Sequence, residues 1–436
     1  MSKFKARYRK CINWFQTMGD ILITPVAALP LAGLLIMAGD ITGRFNFIGA
    51  EVLSQTGSIL LAQLPLLIAI SLAYGLAREK HGEAGLAGAL SYLVLTQSGT
   101  VVFKLILGAS VLPVFDMGIF GGVMAGVIAV FMHNHFRSLK LPNWLAFFSG
   151  VRFSALLTIV FSLLAGIGFG ALWTLLQIGL IFVAGKLVVY GAGGAFAYGF
   201  LHQVLMPFGL HHVLNQEIWY NLGEFTSRTG QLITGDLSRF LAGDPTAGRY
   251  TAGFFPMMIF GLPAIATCFV LTARIRTRTR MILLMAMAGI VSMVSGVSEP
   301  LEYLILFVSP LLYLVFALLL GLSIMICFQL QVLFGFTYST GLSDFLTSWQ
   351  SATRPDGIWQ VGIVIAVLSF AITYLAVRLL KLRTPGTDRL EEADEPETEL
   401  ESLLPVKSRE PRVRKPQVTL KEDSESTQTG TEGDRT

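Results

Sequence analysis

The sequence predicts an all-α, polytopic membrane protein, and composition is the first reason. Of 436 residues, 53% are hydrophobic and only 14% are charged, with a mean hydropathy of +0.64. That is too apolar for a soluble chain of this length. The second reason is that the apolar residues fall into runs long enough to cross hydrocarbon. The 44 glycines fit the same class, because small residues let membrane helices approach closely.

Apolar runs lie near 22–38, 59–77, 84–107, 117–133, 154–183, 253–272, 281–298, 301–328 and 358–380. Two of them, 154–183 and 301–328, are long enough for one tilted helix or two shorter ones. Residues 184–212 form a Gly-rich apolar run that spans or re-enters. At roughly 20 residues per span this amounts to about eight to ten crossings.

The basic residues set an orientation. Residues 1–20 carry Lys3, Lys5, Arg7, Arg9 and Lys10 with no small-residue cleavage site, which reads as a cytoplasmic N-terminal segment rather than a signal peptide. Trp14 and Phe15 would be the apolar side of a surface helix there. Arg78 and Lys80, Arg137 and Lys140, the cluster Arg274, Arg276, Arg278 and Arg280, and then Arg378, Lys381 and Arg383 mark further cytoplasmic loops. The stretch 39–58 has Arg44 as its one basic residue, so both termini are expected inside. Residues 384–436 alternate acidic and basic blocks, lack aromatics and are expected to be disordered. The organisation read from this is a basic segment (1–20), a transmembrane domain (21–383) and a charged tail (384–436).

Several chemistries are excluded. Cys11, Cys268 and Cys327 are too far apart in sequence for a disulfide framework or a zinc spacing, so no metal is expected. There is no P-loop and no dinucleotide fingerprint, and no other cofactor is implied. The basic residues are dispersed over loops, so a nucleic-acid role has no support. The stretch GDLSRFLAGDPTAGR (235–249), with two Gly-Asp turns, reads as a soluble loop.

Two polar concentrations remain. Glu299 and Glu302 flank Pro300 at the head of an apolar run. A carboxylate beside hydrocarbon needs a ligand, a partner charge or water, and a Pro-broken helix at membrane depth is a common way to build a solute site. A helix N-terminus in a polar loop would also hold acids, through its dipole. The second concentration, LMPFGLHHVLNQEIWYNLGE (205–224), holds His211, His212 and Asn215, followed by Glu217 and Glu224. An imidazole near a carboxylate can hydrogen-bond a sugar hydroxyl or carry a proton. Adjacent histidines are also often structural, and they do not have the i, i+4 spacing of a helical metal pair.

With these residues in view, the chain resembles the membrane-embedded IIC component of bacterial phosphoenolpyruvate-dependent sugar phosphotransferase systems, in the glucose and N-acetylglucosamine branch. The resemblance runs over most of 15–385 and rests on separated motifs in order. They are TPVAALPLAGLL (24–35), GLAGALSYLVLT (85–96), DMGIFGGVMAG (116–126), LPNWLAFFSGVRF (141–153), PFGLHHVLN (207–215), GDLSRFLAGDPTAGR (235–249), GFFPMMIFGLPA (253–264) and GVSEPLEYLILFVSPLLY (296–313).

The resemblance implies about ten transmembrane helices with re-entrant hairpins in a homodimeric, elevator-type fold in the bacterial cell membrane. It implies a sugar substrate that is phosphorylated on uptake. The phosphoryl group would come from a separate IIB protein, charged in turn by IIA, HPr and enzyme I. Glu299 and His211 match the family's sugar-contacting and catalytic positions. Glu302, His212 and Asn215 are supporting candidates for substrate binding, and Arg152 for the incoming phosphate. A lone Arg also serves as a membrane-edge anchor. Thr24 and Pro25 either shape the pocket or kink a helix.

The sequence departs from the family in three places. LRTPGTD (382–388) resembles the linker that leads to a IIB domain, but no cysteine follows it, so a phosphoryl-carrying Cys is absent from this chain. The turn before GLAG reads REKHGEA, and Val151 stands where the family usually has a basic residue before Arg152. A facilitator or membrane sugar sensor that has lost phosphoryl transfer is the competing reading.

Overall fold

Apolar runs become helices because each backbone group must find its partner within its own segment where water is scarce. In the computed structural model, residues 21–22, 25–108, 115–227, 230–274, 278–380 and 382 are described, all within one unit, 1–388. The charged tail and the basic N-terminal segment, including the surface helix expected at Trp14 and Phe15, lie outside the described residues.

The helices are α1 (Leu29–Gly43), α2 (Ala50–Ala62), α3 (Leu64–Leu76), α4 (Gly82–Leu107), α5 (Gly118–Phe136), α6 (Val151–Leu187) and α7 (Gly191–Leu205). There follow α8 (His211–Asn215), α9 (Asp236–Leu241), α10 (Phe254–Thr272), α11 (Arg278–Ser295), α12 (Glu299–Val308), α13 (Pro310–Gln329), α14 (Leu342–Ser348) and α15 (Gly357–Leu380). Among the described residues, seven helical stretches are long and apolar enough to cross a membrane, or eight if the bent pair α2–α3 is one span. This is a multi-pass membrane protein. One of these stretches, Val151–Phe208, covers 58 residues.

The run 154–183 lies in one helix, α6, of 37 residues. The run 301–328 is two helices, because Ser309 is extended (φ −163°) and Pro310 starts afresh. Ser309 Oγ accepts from the Leu312 amide at 3.3 Å, capping α13. The run 59–77 is bent by 44° at Gln63, with Pro65 restarting the chain as α3.

Among the described residues the one sheet is an antiparallel hairpin, β1 (Glu224–Thr226) and β2 (Leu232–Thr234), with Phe225 opposite Ile233. Residues 235–249 are not a free loop. Asp236, Leu237, Phe240, Asp244 and Ala247 are buried, and Phe240 stacks on Phe334. The polar groups there satisfy one another. Asp236 accepts the amides of Gly248, Arg249 and Tyr250 at 2.9–3.2 Å, and Arg239 Nε donates to Asp244 at 2.8 Å. A carboxylate with that many donors can be enclosed. Cys268 and Cys327 are fully buried packing residues.

Candidate functional site

α11 stops at Ser295, and Gly296 turns the chain with φ +74°, where a side chain is strained. Pro300 in the first turn of α12 costs no helical bond, since that N–H has no partner there. Glu299 and Glu302 therefore both lie in the first turn, three residues apart and so on neighbouring positions of one helix face. Glu302 is buried at 2% exposure. Glu299 is half-buried, and its Oε2 is buried with no protein partner.

A closed network holds Glu302. Gln203 Nε2 donates to Glu302 Oε2 at 3.0 Å and to the Tyr313 hydroxyl at 2.9 Å. Tyr313 donates back to the Gln203 carbonyl at 2.7 Å. The preceding residue on α7, His202, belongs to a second network. Tyr198 donates to Asn215 Oδ1 at 2.9 Å, and Asn215 Nδ2 lies 3.3 Å from His202 Nε2. The His202 ring meets the His211 ring edge-on at 5.1 Å, and His211 meets His212 at 3.9 Å. His211 Nδ1 is buried without a protein partner.

Adjacent residues of α7 thus tie the two polar stretches together. Asp116 borders the second of these stretches. Its backbone lies directly against Gly209 at the turn into α8. Beyond Asn215 the chain makes a π-turn, Gln216–Asn221, a geometry frequent at functional sites. That turn points Trp219 at Phe254 (6.1 Å) and Phe336 (5.2 Å).

Of the residues singled out in the sequence, His211, His212 and Asn215 share α8, and Glu299 and Glu302 share α12. Arg152 is elsewhere: it donates to the Phe147 carbonyl at 2.9 Å and lies over the Phe147 ring at 4.5 Å. Phe147 and Trp144 beside it are 69% and 81% exposed. Pro25 is buried at the start of the first span, and Thr24 lies outside the described residues. Sequence reasoning passed over Tyr198, His202, Gln203 and Tyr313. The signal was present, because each is a polar group inside an apolar run, the same anomaly that drew notice to Glu299.

An arrangement of acceptors, imidazoles and aromatic faces suits a polyhydroxylated ligand. The model of the family described as "Phosphotransferase system, EIIC" matches residues 19–321. The chain belongs to this EIIC family. Its relatives include the glucosamine-specific EIICBA component of Bacillus subtilis, 38% identical over 397 residues, covering 89% of this chain and 62% of that protein. The N-acetylglucosamine-specific EIICB component of B. subtilis is 37% identical over 378 residues, covering 86% and 79%. The N-acetylglucosamine-specific EIIC component of Streptomyces coelicolor is 35% identical over 410 residues, covering 92% and 97%. The chain therefore spans under two thirds of the first of these relatives and nearly all of the third. Membership makes it a sugar-specific permease component of a phosphotransferase system.

Proposed function

We propose that this EIIC protein carries an amino sugar of the N-acetylglucosamine and glucosamine class, held by Glu299 and His211 and phosphorylated from a separate IIB protein. The sugar class is supported by what the three relatives are named for. A separate donor is supported by the Streptomyces relative, an EIIC component that this chain covers almost end to end. For the site, the supporting observation is that Glu299 Oε2 and His211 Nδ1 are both buried polar atoms without protein partners.

In this reading a carboxylate accepts from neighbouring sugar hydroxyls and orients the ring. The reacting hydroxyl oxygen attacks phosphorus, the bond from phosphorus to the carrier breaks, and the hydroxyl proton passes to Glu299 or His211. Positioning supplies most of the remaining acceleration. Glu302 and Asn215 hold these two residues in place, and His212 lines the wall. Arg152 either favours the incoming phosphate or anchors the membrane edge. The protein works as a homodimer with both termini in the cytoplasm, the latter on the loop charges.

The test is radiolabelled sugar uptake into vesicles, with and without the general carriers and a IIB donor, comparing wild type with Glu299→Gln. Phosphorylated sugar should appear inside only with the donor and fall about ten- to a hundred-fold in the variant, the range for losing a charged hydrogen-bond partner. Unmodified sugar equilibrating with or without donor would identify a facilitator instead.

A further inference from the structure

We infer that Asp344, outside the span matched by the family, is the positioning residue that holds both halves of the sugar site in register. The inference rests on the reading of Glu299 and His211 as sugar ligands.

Between α13 and α14 the chain runs without helix from Val332 to Gly341. A segment of that length needs something to fix its shape, and Asp344 supplies it. Asp344 is 1% exposed, and its Oδ2 accepts three consecutive amides, those of Thr337, Tyr338 and Ser339, at 3.1, 2.7 and 2.8 Å. Successive N–H groups converging on one anion form a backbone nest, with the carboxylate built in rather than borrowed from a ligand. The other oxygen faces Arg44 Nη2 at 3.5 Å, and Arg44 Nη1 donates to the Ser343 carbonyl at 3.4 Å. Arg44 thus ties the end of the first span to the nest.

What the nest shapes then touches the site from two sides. On one side, Ser339 Oγ donates to the Gly296 carbonyl at 3.1 Å. A Cβ on Gly296 would lie 2.6–2.8 Å from the Gly341 and Thr340 amides. Gly296 is the turn that sets where α12 begins, and Glu299 is three residues on. On the other side, Phe336 packs edge-on against Trp219, which packs on Phe254, which in turn meets the His202 ring at 4.9 Å. His202 is the ring against which His211 rests. The segment between these contacts is anchored to the chain behind it, with Phe334 donating to Gly248 at 3.0 Å and Thr251 to the Phe334 carbonyl at 2.6 Å. Loss of the carboxylate releases the Ser339 end, so Gly296 and the start of α12 gain freedom while the core behind Phe334 stays packed.

The experiment uses the full chain, purified in lipid nanodiscs, and measures binding of N-acetylglucosamine and glucosamine as both dissociation constant and number of sites per protein. Asp344→Asn keeps size and one acceptor but removes the charge, and Ser339→Ala removes only the bond to Gly296. A misplacement of about 1 Å can cost on the order of a hundred-fold. Asp344→Asn should therefore weaken binding about ten-fold or more, and Ser339→Ala a few-fold, with the number of sites unchanged. A merely structural role would lower the number of sites and leave the dissociation constant alone, and that result overturns the inference. So does an affinity within two-fold of wild type in Ser339→Ala together with Asp344→Asn, when Glu299→Gln has lost binding. Wild-type affinity in Glu299→Gln overturns the sugar site itself, and this inference with it.

Discussion

Gln203 shows how little room a buried carboxylate has. Its amide is the donor that holds Glu302, and its carbonyl is where Tyr313 donates in return. Gln203→Leu keeps the volume roughly and leaves Glu302 Oε2 without that donor. An unpaired buried polar group costs about 1–3 kcal/mol, more when charged. Detergent-solubilised Gln203→Leu should melt several degrees below wild type, while Gln203→Glu, which brings a second carboxylate to Glu302, should melt lower still. Asp244 makes the opposite case, of an acid over-supplied with donors. Burial pushes its carboxyl up, but the Thr246 amide and hydroxyl and the Arg239 guanidinium outweigh this and hold it below its ordinary 3.8. A depressed folded value means stability present above that ordinary value and lost as pH falls through the depressed one. The melting difference between wild type and Asp244→Asn should therefore be full at pH 6 and shrink below about pH 4. A difference that stays constant to pH 3 would show that the Arg239 contact is not what stabilises the turn.

At the scale of elements, the helices pack through small residues. A Cβ on Gly166 of α6 would run into Ser98 and the Leu95 carbonyl of α4, whereas one on Gly168 meets nothing within 4 Å. The same substitution two residues apart should have opposite signs. Gly166→Ala forces α4 and α6 apart and should cost about 1–3 kcal/mol. Gly168→Ala should be neutral or stabilise by up to about 1 kcal/mol, since alanine loses less freedom in a helix. Thermal melts of the two variants in one detergent decide it. The existence of these helices was legible in hydropathy, because a run of apolar residues has few other ways to satisfy its backbone. Their breaks were legible in part: Pro310 biases the residue before it to the extended geometry that Ser309 adopts. The 235–249 stretch misled because its contacts are not local. Its Asp and Arg residues look solvated when counted singly, and Asp236 is enclosed only because three amides 12 to 14 residues later turn back onto it. In the site, the Glu299 and His211 stretches could be found one at a time as polar anomalies. That His202 and Gln203 would tie them together depends on α7 lying between them, which no local pattern contains.

At the scale of the whole molecule, the helix ends and the loop charges make a joint statement about orientation. α1 ends at Gly43 beside a connection with one basic residue, and α3 ends just before Arg78 and Lys80. α5 ends at Arg137, α10 just before Arg274, and α15 carries Arg378 in its last turn. If short loops rich in Lys and Arg stay inside, the turn between α1 and α2 faces out and the turn between α3 and α4 faces in. Both turns offer probes, since Ile48 is 97% exposed and Lys80 is exposed as well. With Cys11, Cys268 and Cys327 replaced by Ala, Ile48→Cys should react with a membrane-impermeant maleimide on intact cells. Lys80→Cys should react only after the membrane is opened. The reverse pattern would place the sugar site's loops on the wrong side for a cytoplasmic donor. With it would go the phosphorylation step, because a IIB protein can reach only an inward-facing opening. Labelling of both sites on intact cells would instead mean that α2 and α3 do not together complete a crossing, and that their 44° bend marks a re-entrant hairpin rather than a broken span.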